Sequence, residues 1–82
     1  MDIKVLGPGC MKCKKLFAEA EKAAAACGHP VTLVKVERIE DIMAYGVMST
    51  PALVIGSEVK SVGRVVPAAE IAAMITSAIA KG

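Results

Sequence analysis

Ile3-Lys4-Val5-Leu6-Gly7-Pro8-Gly9-Cys10-Met11-Lys12-Cys13 passes from a short β-type run, through a turn rich in glycine and proline, into a Cys-x-x-Cys pair. Beyond the pair, Cys13, Leu16, Phe17, Ala20, Ala23, Ala24 and Cys27 recur at three- and four-residue spacing, while Lys12, Lys15, Glu19 and Lys22 fall on another face. That periodicity predicts an amphipathic helix from Met11 to Cys27, ended by Gly28 and Pro30. The two cysteines therefore sit at a strand-to-helix junction.

Outward from this unit, the β-branched run Val31 to Val36 predicts a second, mostly buried strand. Arg38 to Tyr45 offers Ile39, Ile42 and Met43 at helical spacing before Gly46. Ala52 to Ile55 is a fully apolar strand, Gly56-Ser57 a turn, and Glu58 to Val62 the returning, antiparallel arm of a hairpin. Pro67 stands where a first helical residue would, Glu70 lies in the first turn, and Ile71, Met74, Ile75, Ala78 and Ile79 form an apolar stripe towards Lys81. The predicted order is βαβαββα, an α/β chain in which residues 1–82 form a single domain around one modest core.

Ten Lys plus Arg against eight Asp plus Glu, with no long run of either sign and a lone Tyr and Phe, argue against nucleic acid or a membrane surface as partner. No stretch approaches the roughly 20 apolar residues of a membrane span or the pattern of a signal peptide, which leads to the expectation of a cytoplasmic protein. Three cysteines are too few, and odd in number, for a disulfide scaffold, so a close pair points to redox or metal chemistry.

If Cys10 caps the helix and Cys13 lies in its first turn, the sulfurs are close enough to bond without backbone movement. Cys10 would face unpaired amides and the positive helix end, which can bring a thiol pKa from about 8.5 to roughly 3.5–7.5, and Lys12 adds a positive charge. Cys10 is then the attacking thiolate and Cys13 the thiol that resolves the mixed disulfide. Cys27 and His29 would complete a set of four zinc ligands, but about 14 residues of helix at ~1.5 Å rise separate Cys13 from Cys27 by roughly 20 Å. Cys27 reads as a core residue, His29 as a solvated turn residue, and no metal is assigned.

Ser49-Thr50-Pro51 directly precedes the apolar strand. Together, this proline and Cys10-Met11-Lys12-Cys13 resemble the pattern of the thioredoxin and glutaredoxin superfamily, closest to its small prokaryotic members that carry Gly-Pro-Gly-Cys-x-x-Cys and later Ser-Thr-Pro. The resemblance covers nearly the whole chain. It implies a thioredoxin-like fold, a four-stranded mixed sheet in the order second, first, third, fourth, flanked by helices. It also implies a cis Thr50–Pro51 bond, with that loop against the cysteines and the Thr50 backbone pairing with extended substrate. Cys10 and Cys13 are then catalytic, Thr50 and Pro51 substrate-binding, and Gly9 and Lys12 supporting. The expected partners are a disulfide-containing protein and, as electron donor, a reductase or a low-molecular-weight thiol, with no cofactor.

The chain departs from the family pattern in places. Thioredoxins have tryptophan before the first cysteine and Gly-Pro between the two, where this chain has Gly9 and Met11-Lys12; six residues before the first cysteine they have a buried aspartate, and the residue there is Lys4. Glutaredoxins carry Gly-Gly and an acidic residue near the last helix to hold glutathione, where this chain reads Val62-Gly63-Arg64-Val65-Val66-Pro67. Arg64 reads as a solvated loop arginine and Tyr45 as a packing residue. Met43 and Met74 read as core, and Met11 and Met48 as an apolar rim for a docking partner. The alternative function is a soft-metal module holding copper or arsenic through the same two thiolates, as in copper chaperones. Those run βαββαβ and end in a strand, where this chain ends in a helix by period.

Overall fold

The computed structural model describes residues 1–28 and 30–81; the expectation for His29 falls outside them. The elements are β1 (Asp2–Leu6), α1 (Met11–Ala26), β2 (Thr32–Val36), α2 (Ile39–Met43), β3 (Ala52–Ile55), β4 (Glu58–Val62) and α3 (Ala68–Lys81). The strands form one mixed sheet in the order β2-β1-β3-β4. β1 runs parallel to β2 and antiparallel to β3, which is antiparallel to β4. This is the α/β, thioredoxin-like arrangement read from the sequence.

β1 and β3 are the inner strands, so their side chains are covered on both faces. Ile3, Val5, Leu53 and Ile55 meet Leu16, Ala20 and Ala23 of α1, and Ile71 and Ile75 of α3, in the larger core. Leu6, Ala52 and Val54 turn the other way, onto Ile42 of α2. All four residues of β3 are buried, which accounts for its having no polar alternation.

The edges differ from the sequence reading. β2 was expected to be mostly buried, yet none of its five residues is; its place at the sheet edge leaves Leu33, Val34 and Val36 half-covered and exposes Thr32 and Lys35. In the hairpin, Val54 faces Val59 but Leu53 faces Ser61, so Lys60 is an extra residue in β4. The bulge breaks the alternation expected of Glu58 to Val62. Val59 and Val62 fall on the α2 side, which short α2 leaves open, and Ser61 takes the buried place. For the same reason α2 buries only Ile42, while Ile39 and Met43 are exposed, Met43 by 66%. The core role expected of Met43 does not hold; Met74 does pack against the core.

α1 and α3 share one face of the sheet and are joined by a carboxylate. Glu19 accepts a hydrogen bond from the Ala68 amide at 2.9 Å, at the start of α3, and pairs with Lys22 at 3.1 Å. This gives α3 a capping group from another helix. The Ala68 amide, and then Lys22, hold the Glu19 carboxyl below its usual range. A depressed carboxyl stabilises the fold above the unfolded-state pKa of about 4.3, and loses that contribution as pH falls through the folded value. Glu19→Gln is therefore expected to lower the melting temperature at pH 7, with the gap to the parent closing as pH falls below about 4.3; thermal melts across pH 3–7 check it, and a gap independent of pH would contradict it.

Candidate functional site

β1 ends where the Gly7 amide donates to the Val36 carbonyl at 2.9 Å, the last rung towards β2. The chain then turns through Gly9, whose φ of +94° lies in the left-handed region that glycine adopts without penalty. Cys10 follows in extended conformation and caps α1: its carbonyl accepts from the Lys14 amide at 2.9 Å, and its sulfur from the Cys13 amide at 3.3 Å. Sulfur here fills the place usually held by a serine or aspartate oxygen.

The two thiols differ in environment. Cys10 is exposed, and Cys13, one turn along, is only 4% exposed. The Cys10 thiol is held below its ordinary pKa, first by a hydrogen bond from the Cys13 thiol, then by the Cys13 amide, with a smaller contribution from the Lys12 amide. Lys12 thus contributes to that lowering through its backbone amide. Burial pushes the Cys13 thiol up, and donating to Cys10 adds to this.

Cys13 fits only because Gly7 lacks a side chain. A Cβ on Gly7 would stand 2.2 Å from the Cys13 sulfur and 3.0 Å from its Cβ. The same point lies 3.8 Å from the Thr50 Cβ, so Gly7 is where the cysteine helix and the Ser49–Pro51 loop converge. In that loop the Thr50–Pro51 peptide is cis, Thr50 is half-buried, Pro51 is fully buried, and the Pro51 carbonyl accepts from the Gly63 amide at 2.7 Å. Cys10, Cys13, Gly9, Thr50 and Pro51 thus gather at one end of the sheet.

A small cavity of about 50 Å³ opens beside Cys13, walled by Val5, Gly7, Gly9, Phe17, Lys35 and Glu37. Lys35 lies over the Phe17 ring, 4.6 Å from its centre, and Glu37 would be 3.4 Å from a Cβ on Gly9. Sequence reasoning missed Gly7, Lys35 and Glu37. Gly7 had a signal, as the first glycine of Gly-Pro-Gly; Lys35 of β2 and Glu37 just beyond its end had none.

Lys4 is on the other face. Its ammonium donates to the Tyr45 hydroxyl at 2.8 Å and sits 5.5 Å from the ring centre, so the residue six before Cys10 points away from the cysteines, and Val5 lines the cavity instead. Tyr45 is thereby a hydrogen-bond partner as well as a packing residue. Arg64 pairs with Glu70. Cys27 caps the end of α1, half-buried against the core, its thiol donating to the Ala24 carbonyl at 3.2 Å. Met11 and Met48 are 76% and 96% exposed. Among the described residues no three His, Cys, Asp or Glu side chains gather as a metal site, and no helix is long and apolar enough to cross a membrane.

Comparison with known proteins agrees with this geometry. Residues 1–76 match the model of the thioredoxin domain family. The chain is also similar to a thioredoxin of Methanothermobacter thermautotrophicus, with 31% identity over 71 residues that cover 87% of this chain and 92% of that protein. The family match takes in all four strands, α1, α2 and most of α3 rather than the cysteine motif alone, and the chain belongs to the thioredoxin family.

Proposed function

We propose that residues 1–82 work as one domain and exchange two electrons with protein disulfides through Cys10 and Cys13. The observation that carries this reading is the inequality of the two thiols: one exposed and shifted towards thiolate, the other buried and kept protonated, one helical turn apart. The Cys10 thiolate attacks one sulfur of the partner's disulfide; that bond breaks, the partner's other sulfur leaves as thiolate, and a mixed disulfide forms. Cys13 then gives up its proton and attacks the Cys10 sulfur, expelling the partner's second thiolate. The partner is reduced by two electrons and takes up two protons, and Cys10 and Cys13 are left disulfide-bonded. A reductase or a low-molecular-weight thiol restores the dithiol, and no cofactor is needed.

In this reading the half-buried Thr50 offers its backbone to an extended segment of the partner, and Pro51 forms the wall beneath it. Gly9 lets the turn deliver Cys10 to the helix end. Gly7 leaves room for the Cys13 sulfur, which must come within bonding distance of Cys10 to resolve the intermediate.

Three outcomes are expected. Alkylation followed against pH should show Cys10 titrating below an ordinary thiol and Cys13 above it; equal midpoints would remove the basis of the mechanism. Cys13→Ser should hold partners on Cys10 as stable mixed disulfides, visible on non-reducing gels, whereas Cys10→Ser should trap none. Gly7→Ala displaces the Cys13 sulfur, and since misplacement of about 1 Å can cost ~10²-fold, resolution of the mixed disulfide should slow by about that factor while Cys10 alkylation changes little.

A further inference from the structure

α1 is charged against its own dipole at the redox end. α2 carries Glu40 and Asp41 in its first turn and α3 carries Glu70, where the positive end of a helix favours anions. α1 has no acidic residue there and carries Lys12, Lys14 and Lys15 instead. The other cations whose side chains are described are engaged: Lys4 with Tyr45, Lys22 with Glu19, Lys35 over Phe17, Arg38 with Glu40, Lys60 with Glu58, and Arg64 with Glu70. Among the described residues, Lys12, Lys14 and Lys15 are the lysines and arginines without a hydrogen bond, ion pair or ring contact from the side chain. Three cations are thus held where they oppose the helix, without a side-chain partner among the described residues.

Their placement gives them an external use. Lys14 stands beside the cavity with Gly9 and Glu37, Lys15 borders Val65 and Pro67 on the α3 side, and Lys12 lies between the cysteines, so the three flank the exposed Cys10. Glu37 lines the cavity with Lys14, and Glu19, near Lys15, is already paired with Lys22 and the Ala68 amide, so the three lysines leave an excess of positive charge next to the exposed Met11. We infer that this end of the molecule selects partner proteins whose target disulfide is flanked by acidic side chains. Charge of one sign around a reacting group steers the opposite sign to it and raises the rate of encounter. This deepens the disulfide-exchange reading and rests on it.

The test uses the reduced protein and two synthetic peptides with the same intramolecular disulfide, one flanked by aspartates and the other by lysines, together with hydroxyethyl disulfide as a small neutral probe. At low salt the acidic peptide should be reduced about tenfold faster than the basic one. The ratio should collapse towards one at about 1 M salt, where the Debye length falls to about 3 Å. In the Lys14→Gln, Lys15→Gln double variant the low-salt ratio should fall to about a third or less of the parent's. Equal rates for the two peptides, or a ratio that ignores both salt and the double substitution, would overturn the inference while leaving disulfide exchange intact. Reduction of none of the three disulfides would overturn the exchange reading and this inference with it.

Discussion

The site depends on where the first turn of α1 meets the end of β1. A helix start leaves amides unpaired, and in this chain the group that receives them is a sulfur. That arrangement makes Cys10 both the cap of the helix and a thiol held below its ordinary pKa. The reciprocal constraint falls on Cys13, whose amide and thiol both turn to Cys10 while its side chain is packed against Gly7. The two effects are one geometry: the contacts that favour a thiolate on the outer sulfur keep the inner sulfur protonated.

The rest of the fold holds this junction in place by pairing and packing. β1 lies between β2 and β3, so the strand that ends at the site is held on both sides. Leu16 and Ala20 bury α1 on β1 and β3, and α3 closes the same face, its first amide tied to Glu19 of α1. The other face holds a short α2 and is more open, with Met43, Val59 and Val62 exposed. The chain thus concentrates its packing beneath the cysteines and is looser on the far side of the sheet, where Lys4 and Tyr45 form a separate polar contact.

Charge follows the same division. Near the ends of α2 and α3, acidic residues match the helix dipole or join ion pairs. At the start of α1 this stabilising pattern is set aside for three lysines around an exposed thiol. On the proposed function, a helix whose N-terminus receives another protein's sulfur is under a different constraint from one that need only be stable.

Much of this was legible in the sequence, because the signals were local. Gly-Pro-Gly after a β-branched run ends a strand, three- and four-residue apolar spacing sets a helix, and Cys-x-x-Cys at its start puts both sulfurs on one turn; these determined the element order, the cysteine pair and the unlike settings of its two thiols. Ala52 to Ile55 announced an inner strand by having no polar residue. What tertiary structure alone decided were matters of which distant segments meet. Val31 to Val36 is as β-branched as an inner strand, and nothing in its own residues shows the edge place that the sheet order, expected only from the resemblance, gives it. The bulge at Lys60, which turns Val59 and Val62 to the same face, depends on pairing with β3. Gly7 owes its importance to the Cys13 sulfur, and Lys35 and Glu37 reach the site through the register of β2 beside β1. Lys4 faces away because alternation along β1, once α1 has claimed Ile3 and Val5, leaves it the opposite side. Local periodicity fixes what each segment becomes; only packing fixes which side chains it meets.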